Sequence, residues 1–157
     1  MELTALIMDN RSKKAKQFSL PVELEYVASE FGYAVEDVSI TIQSIEELPT
    51  LDCERLTLDL ANGLAENVED VDEDLVLSFI ESDSSNPKYL ASAEFDDCWL
   101  YPEVATDRDL GQYIVDEIGF ELSREMLERY FDYEKFGRDV RLEEGGSFVD
   151  KGYFVSK

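Results

Sequence analysis

Residues 19–43, SLPVELEYVASEFGYAVEDVSITIQ, carry two hydrophobic periods in succession, and the change from one to the other decides the fold class. Leu24, Val27, Ala28 and Phe31 recur at the spacing of a helix with one buried face. Ser19 reads as its cap, Pro21 as part of its first turn, and Gly32 as its stop. Val38, Ile40 and Ile42 then alternate with Ser39, Thr41 and Gln43, the period of a half-buried strand. Glu23, Glu25 and Glu30 fall off the helical stripe and are expected in solvent.

Outward from this stretch the two periods keep mixing. Residues 3–8 (LTALIM) read as a strand and 9–17 as a basic, polar loop. A helix is expected over 52–64, burying Cys53, Leu56, Leu60 and Leu64 and exposing Asp52, Glu54 and Asp59. Another follows the acidic run that holds Glu69, Asp70, Asp72 and Glu73, with Leu75, Val76, Phe79 and Ile80 on its inner face. Ser84 to Lys88 reads as a turn, and 97–101 (DCWLY) as a buried strand. A capping-box-like Thr106-Asp107-Arg108-Asp109 opens a helix burying Leu110, Tyr113, Ile114 and Ile118. Ser123 caps a shorter helix with Met126, Leu127, Tyr130 and Phe131 inward, and 147–155 (SFVDKGYFV) reads as a hairpin turning at Lys151-Gly152. The alternation implies an α+β architecture of small antiparallel sheets and packed helices, in modules 1–50, 51–104 and 105–157.

Charge is the unusual property. The 157 residues hold 37 acids, 14 bases and no histidine, a net charge of −23. Residues 1–20 carry +2, residues 21–122 carry −24 with only Arg55, Lys88 and Arg108 as bases, and residues 123–157 carry −1. A hydrophobic content of 44% with 11% aromatics excludes a disordered acidic tail. A field of this sign repels nucleic acid and anionic membrane and attracts basic protein surfaces. Duplex DNA carries one charge per ~1.7 Å of axis, so a block of this size matches on the order of 12 base pairs. An acidic site of that extent suits imitation of DNA, whereas an enzyme cleft needs far fewer carboxylates.

Patterns that could carry chemistry each lack a required residue. Asp70-x-Asp72-x-Asp74, with Ser78 and Glu81, has calcium-loop spacing, but Leu75 stands where that loop needs glycine. The same acids suit a helix N-terminus, where the dipole favours negative charge. Carboxylate pairs can be drawn almost anywhere in so acidic a chain, no histidine is available as a general base, and Gly145-Gly146 reads as a plain turn. Cys53 and Cys98 read as reduced core residues. No catalytic residue, metal or cofactor is expected. No stretch approaches the ~20 apolar residues of a membrane helix, and the chain is expected in the cytoplasm.

Near the C-terminus, Tyr130-Phe131-Asp132-Tyr133-Glu134-Lys135-Phe136-Gly137-Arg138-Asp139 resembles the ArdA antirestriction family. Members carry a helix ending in Tyr-(Phe/Ile)-Asp-Tyr, an aromatic-Gly-Arg-Asp step and a short hairpin. Asp109 to Gly119 resembles the family's penultimate helix, and Leu20 to Gly32 an earlier module more loosely. The resemblance is specific over about residues 105–155. Residues 3–20 lack the family's Asn- and Gly-rich turn and Gly-x-Trp step, so that module is expected to be shortened.

The resemblance implies an elongated, curved homodimer, encoded on a conjugative element or phage. Its carboxylates would stand in for phosphates of bent DNA in the basic DNA-binding cleft of type I restriction–modification enzymes. The acids expected to do so are Glu23, Glu25, Glu30, Asp52, Glu54, Asp59, Glu69, Asp70, Asp72, Glu73, Asp107, Asp116 and Glu117. The alternative the charge leaves open is a mimic or adaptor directed at another DNA-binding protein, such as a nucleoid protein, a repressor or a repair enzyme.

Overall fold

The computed structural model describes residues 1–118 and 123–157, without the side chains of Ile118, Met126 and Tyr130. Seven α-helices and two antiparallel three-stranded sheets are found among them, so the chain is α+β. It divides into two compact units, Met1–Ala93 and Glu94–Lys157. The boundaries expected at residues 50 and 104 both fall inside these units.

In the first unit, β1 (Leu3–Asp9) is the central strand, flanked by β2 (Ala15–Leu20) and β3 (Ile40–Ile45). Leu3, Ala5 and Ile7 point into the core, and Phe18 and Leu20 join them from β2. Residues 15–20 are therefore a strand, and Ser19-Leu20-Pro21 is no helix start. Leu20 pairs with Leu3 across the ladder, and the buried alternation of Phe18 and Leu20 outweighs the capping pattern. Helix α1 (Leu24–Phe31) begins only after Glu23 and closes on a left-handed Gly32. Along β3 the register shifts opposite Leu6/Ile7, leaving Gln43 outside the pairing. The bulge lets Ile42 and Ile45, three residues apart, both reach the core.

The β1–β2 turn is organised by a buried carboxylate. Asp9, 1% exposed, accepts from the Ser12 hydroxyl (2.6 Å), the Tyr33 hydroxyl (3.0 Å) and the backbone N–H groups of Ser12 and Arg11 (3.1 and 3.3 Å). The Ser12 hydroxyl above all, with the other donors, holds the carboxyl at about 2 against the burial that opposes ionisation.

Helix α2 (Leu58–Val68) starts at Thr57, whose hydroxyl accepts from Leu60 N at 3.2 Å. It is later than the expected 52–64 because Thr57 supplies the cap, while Leu51 and Leu56 bury a preceding irregular segment. Asn62 on this helix clasps the Val22 backbone, accepting from its N–H (2.9 Å) and donating to its carbonyl (2.8 Å), which ties α2 to the entry of α1. Helix α3 (Glu73–Ser82) is capped by Asp72, which places the calcium-like spacing at a helix start. Its Val76, Phe79 and Ile80 are buried, as the sequence predicts, while Leu75, expected beside them, is only half-buried. Residues 84–86 turn, but a short helix α4 (Pro87–Ala91) then begins on an Asn86 cap with proline at its first position.

In the second unit, β4 (Cys98–Tyr101), β6 (Gly152–Ser156) and β5 (Ser147–Val149) form a sheet in that order. Helix α5 (Asp107–Ile118) opens on a reciprocal capping box: Asp109 N donates to the Thr106 hydroxyl and Thr106 N to the Asp109 carboxylate, both at 3.1 Å. Helix α6 (Arg124–Tyr130) carries the expected Glu125–Arg129 pair at 3.4 Å. The inward positions expected for Ile118, Met126 and Tyr130 lie outside the described residues. The terminal hairpin turns at Asp150-Lys151, one residue earlier than expected.

The Asp9 network gives a pH-dependent expectation. Its folded carboxyl ionises below the ordinary value of 3.8, so its stabilisation is complete above that value and is lost as pH falls toward about 2. Asp9→Asn is expected to lower Tm at neutral pH, and the gap from wild type to close as pH approaches 2. A gap that is independent of pH would show that the charge of Asp9 contributes nothing.

Candidate protein-binding surface

A carboxylate can meet a partner only if folding leaves it outside and the chain's own cations leave it uncompensated. Of the 26 described acids in residues 21–118, 22 are exposed. Glu23 sits at the N-cap position of α1 without making a cap bond, and Glu25 and Glu30 follow along the helix, both exposed. Asp52 and Glu54 are exposed in the irregular segment before α2 rather than on a helix, with Asp52 accepting from Glu54 N at 3.0 Å. Asp59 is exposed in the first turn of α2. Glu69, Asp70, Asp72 and Glu73 are exposed together at the α2–α3 junction, the densest group of the set. Asp116 and Glu117 are exposed on α5.

Asp107 differs from the rest. Its carboxylate is half-buried and accepts from Arg141 Nε at 3.0 Å, so a cation of the chain itself already neutralises it. The Glu30 carboxylate lies 3.9 Å from the Lys16 ammonium, which donates to the Glu30 carbonyl at 2.6 Å, and both side chains are open to solvent. Helical stripes could not reveal a further group of exposed acids that lie outside the α-helices: Glu36, Asp37, Glu46, Asp83, Glu94, Asp96, Asp97 and Glu103. The density of acids in the block was the available signal. Among the described residues no three Cys, Asp or Glu side chains converge as metal ligands would.

The aromatic-Gly-Arg-Asp motif is structural in origin. Asp132 ends the connection from α6 and caps helix α7 (Tyr133–Glu144), accepting from Lys135 N at 2.9 Å. Phe136, Gly137, Arg138 and Asp139 therefore lie inside a helix, where the sequence suggests a step before the hairpin. Tyr133 is buried, Phe131 and Phe136 pack beside it, and Arg138 and Asp139 face solvent. Gly137 crosses α5 so closely that a Cβ there would overlap the Asp107 carbonyl oxygen. A Cβ on Gly111 would likewise overlap the Tyr133 carbonyl. The two glycines thus set the α5–α7 distance that lets Arg141 reach Asp107. The role of Gly111 is visible only across the crossing, and no local pattern in the sequence marks it.

The profile of the family described as antirestriction protein (ArdA) matches residues 14–155. The chain belongs to the ArdA antirestriction family. The match extends well beyond the C-terminal segment whose motif first suggests it, and covers α1 to α4 with their exposed acids. No curated protein matches the chain closely enough to add a second relative. The family's function is antirestriction, and among the described residues no helix of the chain is long and apolar enough to cross a membrane.

Two expectations follow. Exposed charge of one sign destabilises the compact state and is screened by salt, so Tm is expected to rise with added NaCl; a flat response would contradict the uncompensated surface. Gly137→Ala is expected to destabilise by about 1–3 kcal/mol or more through overpacking. Gly63→Ala on α2 has open space around it, and should instead stabilise by about 0.5–1 kcal/mol. Equal Tm shifts in calorimetry would contradict the close crossing.

Proposed function

We propose that this antirestriction protein acts as a DNA mimic, occupying the DNA-binding cleft of a type I restriction–modification enzyme and blocking its access to DNA. The observation that carries the reading is the exposure of 22 of the 26 described acids of residues 21–118, most of them held on helices and short turns. A single exposed ion pair contributes only about 0–1 kcal/mol. Many in register, with counterions released from both surfaces, can compete with a duplex, and salt weakens the competition.

In this reading the carboxylates of Glu23, Glu25, Glu30, Asp52, Glu54, Asp59, Glu69, Asp70, Asp72, Glu73, Asp116 and Glu117 replace phosphates, and Asp107 contributes least because Arg141 holds it. The inhibitor works by occupancy, as a cytoplasmic homodimer whose second copy doubles the footprint, and uses no cofactor, metal or catalytic group.

Displacement tests this. A purified type I methyltransferase core is bound to a fluorescent duplex carrying its recognition site, and the chain is titrated in at moderate salt. Stoichiometric release is expected, weakening as salt rises. Asp59→Asn alone should change release little. The combined Glu69→Gln, Asp70→Asn, Asp72→Asn and Glu73→Gln variant should weaken it and reduce the salt slope by up to about 3–4, near 0.9 for each phosphate-like charge removed. No release by the folded wild-type chain would overturn the cleft assignment.

A further inference from the structure

Exposed carboxylates give a surface its charge, but aromatic and arginine anchors usually concentrate the binding energy of a protein interface. Three aromatic side chains of the described residues are well exposed: Tyr26 at 55%, Tyr89 at 60% and Trp99 at 40%. The Trp99 ring is already occupied, with the Lys157 ammonium 5.2 Å from its centroid. Among the described residues cations also lie over three other rings: Arg11 over Tyr33 at 5.4 Å, Lys16 over Phe31 at 5.5 Å and Arg141 over Phe148 at 5.5 Å. Among the described residues no cation lies over Tyr26 or Tyr89, and of the two only Tyr26 has acids one turn away on both sides, Tyr89 having Asn86 and Ala93 there.

Tyr26 packs against the chain on one side only. Its ring meets Phe18 edge-on, with centroids 6.2 Å apart and planes at 90°. It stands at a cleft of about 300 Å³ between β2 and α1, together with Lys16, Phe18, Ser19, Val22 and Glu30. On the helix surface Glu23 lies one turn before it and Glu30 one turn after. Glu23 makes no cap bond, and the Lys16 ammonium donates to the Glu30 carbonyl at 2.6 Å and lies over Phe31, which leaves it 3.9 Å from the Glu30 carboxylate. The helix therefore presents an aromatic face between two carboxylates. A planar guanidinium fits such a face, stacking on the ring while its N–H fork engages carboxylate oxygens; an ammonium cannot do both as well.

We propose that Tyr26, between Glu23 and Glu30, is an arginine-receiving anchor, on which an arginine of the partner's basic cleft stacks while the flanking carboxylates accept its N–H groups. The inference rests on the cleft-occupancy reading and adds to it a contact that phosphate imitation does not supply. Carboxylate contacts weaken steeply with salt, whereas a stacked ring removes no counterion. Tyr26 thus contributes affinity without contributing to the salt slope.

The test uses the same displacement of a fluorescent duplex from a type I methyltransferase core, at several salt concentrations. Tyr26→Leu keeps apolar bulk and removes the π face. It is expected to raise the half-displacing concentration by about 2- to 30-fold, the range of a cation–π contact, with the salt slope unchanged. Because Leu also loses the edge-on contact with Phe18, a second series keeps the shape: Tyr26→Phe, then fluorinated phenylalanines at the same position, whose ring faces are progressively less negative. Displacement should stay near wild type for Phe and weaken stepwise with fluorination. A flat fluorination series beside a wild-type chain that displaces DNA overturns the anchor and leaves the cleft reading standing. Failure of the wild-type chain to displace DNA overturns both.

Discussion

A chain with 37 acids and 14 bases pushes itself apart in any compact state. Its fold answers by giving each unit an apolar core and keeping the acids outside it. Leu3, Ala5, Ile7, Ile42 and Ile45 fill the first sheet's inner face, and Val104, Leu110, Tyr153 and Val155 gather in the second unit. Carboxylates that do go inward are heavily compensated. Asp9 accepts four hydrogen bonds, and Asp107 is met by Arg141. Most of the other acids stay in solvent, where repulsion costs least and a basic partner can reach them.

Several acids also do local structural work. Asp72 and Asp132 cap α3 and α7, and Asp109 completes the capping box of α5. At a helix N-terminus a carboxylate finds unpaired N–H donors and the positive end of the dipole. Acids placed there stabilise the fold that their charge otherwise strains. The same placement ties the exposed acids of these helices to capped, hydrogen-bonded backbone. The proposed occupancy would draw on that placement, because a flexible polyacid would lose the register in which many weak ion pairs act together.

Much of this was legible in the sequence, and the failures have physical causes. Helical stripes locate α3 and α5 because each combines a long apolar face with its own cap. The start of α1 is obscured because Ser19 and Pro21 imitate a capped helix, while the partner that makes residues 15–20 a strand, Leu3 to Met8, lies across the turn and is not signalled locally. Helix α7 escapes because its Gly137 and charged residues look like a turn. Only the approach of α5 shows the glycine as a contact surface. The acidic block is legible by counting alone. Of the acids chosen from it, every one but Asp107 is exposed, and what counting could not show is which carboxylate Arg141 claims.

The proposed competition of this exposed acidic surface for a basic DNA-binding cleft must show in its salt dependence. Its most direct measurement is the dissociation constant between this chain and a type I methyltransferase core as a function of salt, beside that of the same core with its duplex. Log Kd is expected to rise linearly with log salt for both complexes between about 50 and 200 mM, with similar slopes, since both release counterions. An affinity for the chain that does not change over that range would contradict it.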